Sequence, residues 1–115
     1  MSLCTKTANP VLAISVDASE DLTAHRFVGF SGGVCAFDAK ALGVVDLDWK
    51  SGDKVPVTVL GVMAVEAGEA IDIGAEVSSD GNGKALTAIL TSKVNGIALE
   101  ASTAAGEFIR VLLKV

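Results

Sequence analysis

The ten residues GDKVPVTVLG, Gly52 to Gly61, set Val55, Val57 and Val59 on alternate positions, with Lys54, Pro56 and Thr58 between them. Successive side chains of a strand point to opposite faces, so this spacing predicts a half-buried β-strand with its valines turned to a core. A pairing slip of one residue would turn all three valines into water, so the pattern specifies register as well as type. Pro56 has no N–H to give to a ladder, which predicts that its nitrogen faces a sheet edge or a bulge. The chain closes on a similar phrase, GEFIRVLLKV, from Gly106 to Val115. Asp53 matches Glu107, Val55 matches Ile109, Val57 matches Val111 and Val59 matches Leu113. Gly43-Val44 precedes the first phrase much as Gly96-Ile97 precedes the second, and RFVGFSGGVCA and AEVSSDGNGKAL both read strand, glycine turn, strand.

Two explanations fit. Either valine-rich strands resemble one another by chance, or the chain holds two loosely similar halves, about residues 11–61 and 62–115. In the second case each half is a short meander whose apolar face only the other covers. Both explanations predict one all-β domain over residues 11–115, a small closed or partly open barrel or sandwich of short strands. At most one or two short helical turns are expected in it.

Outside the two phrases, Val11–Val16 predicts a first strand and Arg26–Phe30 a second. The second turns through Ser31–Gly33 into a third at Val34–Phe37. Asp38 is placed to cap a single helical turn through Leu42, Val44 and Val45 form a short strand, and Asp46–Ser51 is a loop carrying Trp49. Gly61 marks a kink and Ala67–Glu69 a turn. Ala75–Ser78 and Ala85–Ala88 form a hairpin across SDGNG, because Asp-Gly and Asn-Gly favour tight turns. Ala85–Val94 is the best helical alternative, and Gly96–Leu99 and Glu107–Lys114 are the last strands. Met1–Pro10 is polar, lacks an apolar pattern and reads as a flexible N-terminal arm.

Fourteen acids against nine bases give a formal charge of −5, and the bases stand singly. A nucleic-acid binder clusters Lys and Arg to neutralise phosphates, so direct binding to DNA or RNA is not expected, nor binding to an anionic membrane. No stretch has the length of a transmembrane helix or the core of a signal peptide, which predicts synthesis in a cytosol with Cys4 and Cys35 as free thiols. Half of the residues are apolar, mostly Val, Ala, Leu and Ile, with no Tyr. That is more apolar surface than one small core needs, and it suggests a homo-oligomer.

Candidate chemistry is sparse. His25 is the only histidine, which excludes a multi-histidine zinc site. A nucleophilic Cys35 would have to use His25 as its base; the plainer reading makes Cys35 a small core residue and His25 a hairpin-mouth residue. Glu76 to Lys84 is superficially similar to a calcium loop, but the twelfth position, which needs a bidentate Glu, holds Thr87. Turn chemistry explains the stretch better. Asp17, Glu20 and Asp21, like Asp46 and Asp48, read as solvated loop acids. Asp38-Ala-Lys40 resembles the modified-lysine turn of lipoyl and biotinyl carrier domains, which are also small duplicated β-barrels. Ala39 intervenes where their motif puts the lysine directly beside its neighbour. Trp49 is either a ring packed over the barrel end or an interface anchor. No catalytic residue, metal ligand or cofactor-binding residue is assigned.

Gly61-Val62, Ala67-Gly68-Glu69, Gly74 to Val77, Gly96-Ile97-Ala98, Ala104-Ala105-Gly106 and Ile109 to Leu113 follow one another in an order that resembles the capsid decoration, or cement, proteins of tailed bacteriophages and prophages, of the lambda type. The resemblance covers about Gly43 to Val115 well and Val11 to Leu42 loosely. It implies a β-tulip-like version of the small barrel and a non-enzymatic virion structural protein. Such a protein docks as a homotrimer on the outer surface of the assembled head, against the major capsid protein, and stabilises the shell. By the same resemblance the N-terminal arm makes the shell contact through Ser2, Leu3, Cys4, Thr5, Lys6, Thr7 and Val11, with backbone hydrogen bonds of the strand-addition kind. The alternatives are a carrier-type barrel modified at Lys40, or another small β interaction module.

Overall fold

A computed structural model describes residues 6–114. Among them the strands are β1 (Asn9–Asp17), β2 (Arg26–Val28), β3 (Gly43–Val45), β4 (Lys54–Glu66), β5 (Glu76–Ser79), β6 (Ala85–Thr87), β7 (Gly96–Ala98) and β8 (Phe108–Leu113), and no helix occurs. The sheet order is β2-β3-β4-β8-β7-β5-β6, all paired neighbours being antiparallel, with β1 joined to β4 off this path. Outward from the β4–β8 pair, β3 and β2 on one side answer β7 and β5 on the other. The two ends of the sheet then approach each other. Phe27 N–H donates to the Gly83 carbonyl at 2.8 Å, and Asp38 N–H to the Ser79 carbonyl at 2.9 Å. Glu66 accepts Arg26 and Lys84 across the same seam, each at 3.3 Å. The result is a nearly closed small barrel.

The repeated phrases occupy like places. Gly52 and Gly106, at φ +91° and +92°, turn the chain into β4 and β8 with open space around them. Gly43 lies against β4, where a methyl group would meet the Thr58 carbonyl oxygen at 2.0 Å and the Val57 Cγ1 at 2.9 Å. Gly96 lies against β8 in the same manner, 2.6 Å from the Leu112 oxygen and 2.5 Å from the Val111 Cγ1. These two glycines let neighbouring strands close tightly over Val57 and Val111, the matching valines of the two phrases.

Two apolar clusters fill the interior. The larger gathers Phe27, Cys35, Val44, Met63, Val65, Ile71, Val77, Ile109 and Val111; the smaller gathers Ala18, Leu22, Val28, Val45, Val55 and Val57. Val55 and Val57 are buried as their alternation predicts, but Thr58 is buried too and Val59 only half so. The β1 register slips here, between Leu12 and Ala13 opposite Leu60 and Thr58, and that irregularity breaks the period. Pro56 lies beyond the β3 contact at Thr58, so among the described strands it faces only β1.

Two local expectations are corrected and one alternative is set aside. Val34–Phe37 is not a strand: only the Val28–Val34 bridge forms, because Ala39 N–H turns back to the Ala36 carbonyl and Asp38 adopts φ +58°. The same left-handed φ removes the extended backbone a helix cap requires, so no helical turn follows Asp38. Ala85–Val94 begins as β6 and continues as loop, its local helical preference yielding to pairing with β5.

Candidate functional site

β1 is the anomaly of the fold. Its sequence, NPVLAISVD, has the composition of a core strand, yet every residue except the half-buried Val16 is exposed. Val11 is 71 % exposed, Leu12 50 % and Ile14 43 %. Among the described strands β1 pairs only with β4, so its other edge presents unpaired N–H and C=O groups along nine residues. Pro10 has no N–H to donate on either side of the strand. A long apolar edge strand templates pairing with another chain, and proteins leave one bare only where something covers it.

The apolar surface continues onto the barrel. Leu12 lies opposite Leu60, Val62 opposite Leu112, and Leu112 opposite Ile97. Leu60 and Leu112 are 39 % and 43 % exposed. Gly61 permits the junction: at φ +115° its Cα has the Asn9 oxygen where a side chain would stand, 2.3 Å from a methyl group. At its ends β1 is tied down by charge, Asp17 to Lys54 at 2.9 Å and Lys6 to Glu100 at 3.3 Å.

Of the residues singled out from sequence, Ser2, Leu3, Cys4 and Thr5 lie outside the described residues. Lys6 and Thr7 are exposed ahead of β1, and Val11 is more exposed than Leu12 or Ile14 on the strand. Trp49 is half-buried against the smaller core, bridged through its backbone to Leu22, with its indole nitrogen enclosed and unpaired. Leu12, Ile14, Leu60 and Leu112 were not singled out, because alternation reads the same whether a strand faces a core or a partner.

The alternative chemistries find no assembly. The Cys35 thiol is fully buried and contacts the Ala36 and Ala39 carbonyls at 3.5 Å, and burial pushes its pKa up. A buried neutral thiol is a poor nucleophile. His25 is engaged elsewhere, its Nδ1 3.2 Å from the Ala64 carbonyl and its ring edge-to-face with Phe108. Lys40 is tucked against the Asn95 amide and the Lys114 carbonyl rather than displayed on a hairpin tip as a carrier lysine is. Asp80 uses its carboxylate within its own turn, accepting the Asn82 and Lys84 N–H groups. Among the described residues no three His, Cys, Asp or Glu side chains converge as a metal site, and no helix is long and apolar enough to cross a membrane.

A family model described as phage cement protein matches residues 5–113. Among solved structures, the crystal structure of the head fiber gp8.5 N base in bacteriophage phi29 superposes with a TM-score of 0.75 at 22 % identity. The match covers 90 % of this chain and 93 % of that one. At this identity the likeness speaks for the fold. No curated protein sequence matches the chain.

Proposed function

This chain belongs to the phage cement protein family, and from that membership we propose that it binds the outer surface of an assembled phage or prophage head, against the major capsid protein, and stabilises the shell. The observation that supports a binding role is the bare apolar edge of β1, flanked by Leu60 and Leu112. A strand of the shell laid along that edge would satisfy the unpaired backbone groups and cover Val11 and Leu12. Of the arm expected over residues 1–10, residues 1–8 precede β1 and would extend the same contact. The work is done by binding without catalysis: bridging neighbouring capsomers opposes their separation under internal DNA pressure. A homotrimer at the junction would join three of them at once and raise avidity without new kinds of contact. The protein is made in the host cytoplasm and resides on the virion.

Removing residues 1–8 leaves β1 whole, so the melting temperature should hold within a few degrees while co-sedimentation with purified heads weakens. Equally tight attachment by the truncated protein would remove the arm from the proposal.

A further inference from the structure

We propose that the loop between β7 and β8 carries a lysine-binding notch, filled in the free protein by the chain's own Lys6, which docking must empty before the N-terminal segment reaches the shell. Only the docking clause rests on the head-binding reading. The notch is centred on Glu100, the carboxylate that Lys6 contacts, and Glu107 stands on the same loop. Glu100 is oriented from within, one oxygen accepting the Arg110 N–H at 3.0 Å and the other lying 3.8 Å from the Arg110 Nε and 3.3 Å from the Lys6 Nζ. Glu107 is held by Thr103, whose N–H and hydroxyl donate to it at 2.9 and 2.6 Å. Both carboxylates are thus fixed in place, and Glu100 turns one oxygen to Lys6.

Their acidities agree with that geometry. Burial pushes the Glu100 pKa up, but the Arg110 N–H and the Lys6 and Arg110 charges outweigh it and hold the group below its ordinary value. Glu107 is lowered chiefly by Thr103, with Lys6 adding to the effect. Lys6 is the only lysine or arginine in the first 25 residues, so no neighbouring side chain replaces it. A half-exposed ion pair shifts a local equilibrium by only about two- to fivefold. The contact is therefore a catch that a better partner opens.

Hydrogen–deuterium exchange of peptides spanning residues 6–14 tests the notch in the full chain. Lys6→Gln, Glu100→Gln and high salt should each speed exchange about two- to fivefold. The double variant should be no faster than the singles, since either change empties the same contact. Wild-type rates in both singles, or additive acceleration in the double, would overturn the notch. Glu100→Gln keeps an oxygen for the Arg110 N–H; should it nonetheless fail to fold, the exposed Lys6→Gln decides. On purified heads, Glu100→Gln retains Lys6 and should attach about two- to fivefold more tightly. Unchanged or weaker attachment would overturn the docking clause. No attachment by the wild type would instead reject the head-binding reading, leaving the exchange result to judge the notch.

Discussion

Gly43→Ala and Gly96→Ala should each destabilise the barrel by about 3–5 kcal/mol, enough to unfold much of the population of a small domain. The added methyl group meets a main-chain oxygen at 2.0 Å in one case and 2.6 Å in the other, and the oxygen belongs to the neighbouring strand. Neither can move without parting β3 from β4 or β7 from β8. The valine contacts at 2.9 and 2.5 Å add side-chain crowding in the core. Gly52→Ala and Gly106→Ala supply the contrast. Their surroundings are empty, so only the positive φ opposes a side chain, and about 1 kcal/mol should be lost. Urea titration of the four variants checks the ranking. Equal, mild losses at all four would show that the close strand approach at Gly43 and Gly96 does not hold the barrel together.

The second large effect falls on attachment. Val11→Lys with Leu12→Lys should lower the melting temperature only slightly, because Val11 is 71 % and Leu12 50 % exposed in the free protein. Binding to heads should fall about 100-fold, since each lysine would have to surrender hydration against an apolar contact. Lysine on an edge strand is also a common guard against strand addition. Val55→Lys is the opposite case. It is fully buried, and its loss should appear in stability first. Sedimentation with purified heads, beside thermal melts, separates the two kinds of effect.

What could be read from the chain follows from where local physics decides. The Val55–Val57 alternation, the Asp-Gly and Asn-Gly turn between β5 and β6, and the strands at Gly96 and Phe108 were legible, because pattern and turn chemistry agree there. The Val34–Phe37 segment was not, because its fate rests on Asp38 at φ +58° and on a bond to Ser79 far along the chain. Thr58 and Val59 depart from alternation because β1 slips in register against them, a property of the pair that neither strand shows alone. The candidate site was only partly named from sequence. Val11 and Lys6 came from the resemblance. That VLAISV lies outside the barrel could not be seen, because an apolar strand awaiting a partner and one already buried have the same composition. The seating of Lys6 joins residues 94 positions apart, and no spacing rule reaches that far.

If the outer edge of β1 meets the shell, a high-resolution reconstruction of heads decorated with this protein will show the contact. A capsid-protein strand should run alongside Asn9–Asp17, with Val11 and Leu12 covered. Decorated heads in which β1 faces solvent and another surface of the barrel touches the shell would contradict it.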